Sequence, residues 1–263
     1  MSALALVTGA SSGIGRAFAE RLARDGHDLI VVARRRERLE ALAAALPGTE
    51  VQIVVADLGT DEGIDSVAEV CATRPLTMLV NNAGVSHYMP MAELPAAKAR
   101  ELIQVKVAAP TLLTRAALPG MLERGTGTIV NVAGMLAFSG PAPLSEPQRR
   151  AARAVYTGTL AHTVALTQSL HAELDGTGVT VHVVCPGIVA TEFHEVQGMD
   201  LSALPRMSAE DVVAGALAGL ARGETVSAPG VEDYSLLDSV FSADLAAFGA
   251  QSPQLASRYR TVR

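Results

Sequence analysis

The run Thr8-Gly9-Ala10-Ser11-Ser12-Gly13-Ile14-Gly15 lies between an apolar stretch, Ala3 to Val7, and an amphipathic one, Arg16 to Arg24. That order reads as strand, turn and helix. Glycines at 9, 13 and 15 give the turn its unusual backbone angles and let the chain approach a pyrophosphate closely, while free N–H groups at the helix start attract an anion. Ser11 and Ser12 offer hydroxyls to phosphate, and Ile14 is expected beneath the pyrophosphate. The chemistry is that of a dinucleotide cradle. Further on, a second apolar stretch ends Val32-Ala33-Arg34-Arg35-Arg36, with no acid to bind a ribose 2′-hydroxyl and repel a 2′-phosphate. A guanidinium suits phosphate through planar, charge-assisted hydrogen bonds, so Arg34 favours the 2′-phosphorylated dinucleotide. The alternative is a solvated, charged helix start.

These residues need a scaffold, and the chain supplies one. It has 263 residues, 49% of them hydrophobic, yet only five Phe, four Tyr and no Trp, so its core must be built of Ala, Val and Leu. Short apolar runs at Ala3 to Val7, Asp28 to Val32, Val51 to Val55, Thr77 to Val80, Gly127 to Val132 and Val179 to Val184 predict six strands. Helices are predicted over Arg16 to Asp25, Arg35 to Ala45, Gly63 to Thr73, Ala96 to Met121, Arg150 to Asp175 and Ala209 to Arg222. Strands alternating with helices predict an α/β doubly wound Rossmann fold, a mostly parallel sheet flanked by helices, with ligands at the carboxyl ends of the strands. No linker or composition shift divides the chain, so one domain is expected over 1–263. The irregular stretch 187–208 is a candidate lid over bound ligand. For Tyr234 to Arg263 a helix and an irregular tail both remain open.

A net charge of −6 and a pI near 5.5 argue against nucleic acid as a partner. Cys71 and Cys185 are too few and too isolated for a disulfide framework or a metal site, and read as buried small residues. No apolar run approaches the roughly 20 residues of a membrane span, and the N-terminal one runs straight into the glycine turn, as a strand does and a signal peptide does not. The expectation is a soluble cytoplasmic protein acting on a small molecule, with no metal and no membrane partner.

Taken in order, the signals resemble the short-chain dehydrogenase/reductase family. They are Thr8-Gly-x3-Gly13-Ile14-Gly15, Asp57-Leu58, Asn81-Asn82-Ala83-Gly84, Ile129-Val130-Asn131-Val132, Tyr156, and Cys185-Pro186-Gly187 with Thr191. The resemblance spans essentially the whole chain. It implies a nicotinamide dinucleotide as cofactor, NADP(H) by the reading of Arg34 above, with Asp57 and Leu58 near the adenine, Asn82, Ala83 and Gly84 against the adenosine ribose and the sheet, and Pro186, Gly187 and Thr191 at the nicotinamide end. It also implies a homodimer or homotetramer packed through the two long helices.

The catalytic pattern that the family implies is broken. Tyr156 fits the proton-transferring tyrosine, but four residues on stands Leu160 instead of a lysine, Gly134 stands where the fifth strand should carry a serine, and Lys106 replaces an asparagine. Without a cation nearby, a tyrosine that titrates near 10 yields little anion at neutral pH. Lys106 is expected either to supply that charge from the opposite wall or to reach out to solvent. The stretch from Gly134 to Tyr156 is longer than the pattern, and its residues Pro141 to Arg153 either cover the pocket or form a surface insertion. Ser139 and Ser145 are possible substitutes for the missing serine. His87, Tyr88, His194 and Glu195 lie at the carboxyl ends of strands and are candidates to face substrate, whereas His162 fits a helix interface.

Three functions fit. The first is an oxidoreductase with a non-standard site that reduces a small carbonyl, imine or activated alkene, using Tyr156 and Lys106. The second is a non-redox cyclase, dehydratase or isomerase on the same scaffold. The third is a non-catalytic cofactor-binding subunit.

Overall fold

Seven strands, β1 (Ala3–Thr8), β2 (His27–Ala33), β3 (Val51–Val55), β4 (Met78–Asn81), β5 (Gly127–Val132), β6 (Val179–Val184) and β7 (Val226–Ser227), form one sheet in the order β3-β2-β1-β4-β5-β6-β7. Every pairing is parallel. The order reverses between β1 and β4, so the crevice beyond their carboxyl ends is the place for ligand in such a sheet. The structure is a computed structural model and describes residues 3–140, 142, 152–201 and 203–260. It contains two compact units, Met1–Gly230 and Val231–Arg263.

In the first unit the strands are predominantly apolar because both faces are covered. Ala5, Val7, Leu29 and Val31 point to a core shared with Phe18 and Leu22 of α1 (Gly13–Arg24), Leu39 and Leu42 of α2 (Arg36–Ala44), and Val212 and Val213 of α7 (Ala209–Ala221). Their neighbours Leu4, Leu6, Ile30 and Val32 point the other way, to a core with Ile64 and Val67 of α3 (Asp61–Thr73), Leu113 and Met121 of α5 (Ala109–Arg124), and Leu170 of α6 (Ala154–Glu173). Alternation along each strand therefore divides the core into two layers. A polar seam crosses one of them: Asn131 accepts from Asn81 at 2.9 Å and donates to the Thr167 hydroxyl at 2.9 Å, tying β4, β5 and α6 together. The asparagine of the fifth-strand motif is thus structural.

Four expectations change. The long helix over Ala96 to Met121 is interrupted. It begins as α4 (Ala96–Ile103), widens into a π-helical turn at Gln104–Ala108 and resumes as α5. Pro110 has no N–H to give the Lys106 carbonyl four residues earlier, and the wider register takes over, with the Ala109 N–H donating to the Gln104 carbonyl. The helix after the glycine turn starts at Gly13, earlier than Arg16. The sixth helix begins at Ala154, later than Arg150. A seventh strand, β7, extends the sheet; its two residues are too few for periodicity to reveal. In the second unit, the open choice for the C-terminal stretch resolves into α8 (Ser235–Gly249) and a short 3-10 turn at Ser257–Tyr259. Pro141, Pro143, Ser145, Glu146, Pro147, Arg149 and Arg150 lie outside the described residues.

Candidate active site

The cradle is held by one threonine and one asparagine. At the end of β1, the Thr8 hydroxyl donates to the Val80 carbonyl and accepts from the backbone N–H groups of Asn82 and Ala83, each at 3.0 Å. The Asn82 amide nitrogen donates back to the Thr8 carbonyl at 3.0 Å and reaches Gly9 at 3.4 Å. Asn82 therefore positions the turn, its donor already used. Gly9 (φ 68°) and Gly13 (φ 54°) hold left-handed angles that favour glycine. A Cβ on Gly15 would collide with the Asn82 amide and the Gly9 carbonyl oxygen. The first turn of α1 carries no acid, so its N–H groups remain a positive seat. The cradle thus fits a dinucleotide pyrophosphate. Gly15→Ala is expected to destabilise the fold by at least about 2 kcal/mol and to abolish nucleotide binding. Denaturation and NADPH titration measure the two; a variant that bound nucleotide normally would refute this account of the turn.

The arginines divide their work. Arg34 is exposed, with its guanidinium 3.9 Å from Asp57. Arg35 turns back onto the cradle and donates to the hydroxyls of Ser11 at 3.0 Å and Ser12 at 3.1 Å. It also meets Glu192 at 2.7 Å, and Arg38 holds both oxygens of the same carboxylate at 2.8 and 2.7 Å. Hydrogen bonding from Arg38, then Arg35 and Ser12, pulls the Glu192 carboxyl down to about 2 against its modest burial. Asp57 accepts from the Gly59 N–H at 2.9 Å, which shapes the turn after β3.

A cavity of about 770 Å³ runs from this cradle to the far end of the crevice. Gly9, Ser11, Ser12, Gly13, Ile14, Arg34, Asp57, Leu58, Asn82, Ala83 and Gly84 line one end; Pro186, Gly187 and Thr191 continue the wall, and Lys106, Gly134, Tyr156 and Leu160 line the other. Gly15 is behind that surface, packed on Asn82. The stretch 187–208 contributes an apolar wall that includes Ile188, Phe193, Val196 and Leu204, and a bridge between Val189 and Met207 pins it back on itself.

At the far end the π-helical turn buries Lys106, 6% exposed, which excludes the solvent-reaching alternative. Its ammonium lies 5.9 Å from the centroid of the Tyr156 ring, within cation–π range, and no hydrogen bond joins the two side chains. Among the described residues no carboxylate pairs with it. Burial alone lowers its pKa from 10.5 to about 8. Gly84 makes room for it, since a Cβ there would stand 3.0 Å from Nζ. Tyr156 is buried on α6, and its phenol is pushed well above the ordinary range by burial first, then by its neighbour Tyr88. The two rings meet edge to face, with centroids 5.4 Å apart. Tyr88 in turn stacks near His194, with centroids 6.3 Å apart. Burial raises the Tyr88 pKa and lowers that of His194.

Other candidates lie elsewhere. His87 bonds Glu101 at 2.8 Å, and His162 sits 3.4 Å from the Thr111 hydroxyl between α5 and α6. Ser139 caps its own turn by donating to the Leu136 carbonyl. Cys71 and Cys185 are free and buried, each thiol pushed up to about 12 by burial. Among the described residues no cluster of metal-ligating side chains occurs, and no helix is long and apolar enough to cross a membrane. Sequence reading missed Glu192; its partners on α2 are remote in the chain, so no local pattern announces it.

A parallel sheet reversing at β1 and β4, with a glycine cradle at that crevice, defines a dinucleotide-binding protein. The model of the short chain dehydrogenases matches residues 3–201, and the chain belongs to the short-chain dehydrogenase/reductase family of NAD(P)(H)-dependent oxidoreductases. It is 33% identical to a short-chain dehydrogenase from Sphingobium yanoikuyae in complex with NADPH, covering 98% of this chain and 100% of that one at a TM-score of 0.90. The bulky-bulky ketone specific alcohol dehydrogenase from Comamonas testosteroni is 29% identical, with 98% of each chain covered and a TM-score of 0.86. The very-long-chain 3-oxoacyl-CoA reductase of Anas platyrhynchos is 31% identical over 204 residues, 74% of this chain and 62% of that protein's length.

Proposed function

We propose that this protein is an NADP(H)-dependent reductase of apolar carbonyl compounds or activated alkenes, in which Lys106 supplies the cation that the family places four residues after the tyrosine. The observation that carries this reading is the buried Lys106 ammonium beside Tyr156, with no paired carboxylate among the described residues, in the cavity that begins at the cradle. When bound, the nicotinamide supplies a hydride. The cradle would hold the pyrophosphate and Arg35 the 2′-phosphate, Thr191 the carboxamide end. Tyr156 gives its proton to the developing oxyanion, Lys106 stabilises that oxyanion by charge, and Tyr88 stands as a second hydroxyl in place of the serine missing at Gly134. The apolar wall from 187–208 suits a bulky substrate, and the likeness to a dehydrogenase of bulky ketones supports that choice.

The test mixes purified protein with NADPH and a panel of bulky ketones, enones and imines, following nicotinamide oxidation and product together. Stoichiometric reduction is expected. Binding of NADPH with no hydride transfer across the panel would refute the reading. Leu160, where a ribose-holding lysine is absent, favours a second reading as a non-redox proton-transfer enzyme; product formed without nicotinamide oxidation would establish it. On the reductase reading, Tyr156→Phe lowers kcat about 10²-fold and Tyr88→Phe about tenfold. Equal turnover in wild type and Tyr156→Phe would remove the tyrosine from the chemistry.

A further inference from the structure

We infer that Glu192 is an anion placeholder which the 2′-phosphate of the cofactor must displace, so that this one carboxylate sets the preference between phosphorylated and unphosphorylated dinucleotide. The inference rests on the NADP(H) reading above. Arg35 is the guanidinium that reaches the cradle, holding both Ser11 and Ser12, and it is simultaneously ion-paired to Glu192. Arg38, one turn further along α2, clamps both oxygens of the same carboxylate. The seat that an incoming phosphate would use is thus filled from within the chain, by a group with the same charge-assisted bonds to offer.

Glu192 is well suited to leave. Its side chain is 32% exposed and its two arginines 40% and 46%, so the pair is solvent-screened and weak enough for a phosphate to compete. A doubly charged phosphate outbids a carboxylate for one guanidinium, and the remaining Arg38 keeps Glu192 from being stranded without a partner. Displacement also moves chain that matters. Glu192 follows Thr191, whose methyl group packs 3.0 Å from the Cβ position of Gly13, and precedes Phe193 in the cavity wall. Cofactor arrival at Arg35 is thereby linked to the stretch that faces substrate.

The test measures equilibrium dissociation constants of NADPH, NADH and 2′,5′-ADP for wild type, Glu192→Gln and Glu192→Ala. Both variants are expected to bind NADPH and 2′,5′-ADP about threefold or more tightly, with NADH affinity unchanged. Unchanged NADH binding also verifies that the fold survives. Weaker NADPH binding would mean that Glu192 supports the site, and equal changes for NADH and NADPH would mean that it acts elsewhere; either overturns the inference. Because the readout is affinity, its failure is separable from that of the reductase reading, which fails on absent hydride transfer with binding intact.

Discussion

Lys106→Met is expected to make the protein more stable and far less active at once. Among the described residues no carboxylate pairs with the buried ammonium, and burial holds its pKa near 8 against 10.5 in the unfolded chain. The folded state therefore binds this proton more weakly than the unfolded state. Between pH 8 and 10.5 the unfolded chain carries the extra proton, so stability rises with pH across that window. Below pH 8 the charge is present in both states and the penalty, about 3 kcal/mol, is complete. Methionine fills a similar volume without the charge and should recover most of it, after loss of a cation–π contact with Tyr156 worth about 1 kcal/mol. The melting temperature at pH 7 should rise by roughly 5 °C, and the increase of wild-type stability above pH 8 should vanish in the variant. Turnover should fall about 10²- to 10³-fold, the usual loss when an oxyanion-stabilising group is removed. Wild-type kcat/KM should also decline above pH 8 as Lys106 loses its proton. A variant with lower stability and unaltered turnover would mean that the lysine is structural and that the charge lies elsewhere.

Such a trade, stability given up for a charge in the right place, explains why some of the site was legible in the residues and some was not. The six longer strands announce themselves because a parallel sheet covered on both faces needs runs rich in Val, Ile and Leu, and β7, with two residues, offers no such run. The cradle is equally plain, because close backbone approach leaves only glycine at 9, 13 and 15. Lys106 could be counted into position, but a lysine on a helix can bury its ammonium or extend it to water, and periodicity does not choose. The π-helical turn chooses, and its cause is Pro110, a residue with no chemistry of its own at the site. Asn82 and Asn131 read as motif residues, yet both spend their amides holding strands and turns together. The division of labour between Arg34 and Arg35 depends on side-chain direction at the end of β2, which composition cannot reveal. Glu192 emerges only when distant segments meet, and the same meeting sets Tyr88, already a candidate to face substrate, against Tyr156.

Restoring the ordinary catalytic set should succeed only if Lys106 is removed as well. Gly134 has an extended backbone, and a Cβ there would make ordinary contacts, 3.5 Å to Leu160 and 3.6 Å to the Pro186 carbonyl oxygen, so Gly134→Ser is accommodated. Leu160 is 1% exposed on α6, one turn beyond Tyr156, and lines the same cavity as Lys106. Leu160→Lys therefore adds a second buried ammonium to the cavity that holds the first. Two like charges in one buried cavity repel, by roughly 2 kcal/mol at about 8 Å and an effective dielectric near 20, on top of the cost of burying the new one. The double variant G134S/L160K is expected to lose several kcal/mol and to show little activity, its new lysine neutral or displaced. Adding Lys106→Asn removes the repulsion. The triple variant should regain wild-type stability within about 1 kcal/mol and reduce an unactivated ketone at least about 10²-fold faster than the double, a difference set by the tyrosine having one properly placed cation instead of two competing ones. Denaturation curves and NADPH oxidation with a simple ketone report the two quantities. If the double and triple variants behaved alike in both, Lys106 and position 160 would not share one electrostatic site, and the relocation of the catalytic charge to the π-helical turn would be wrong.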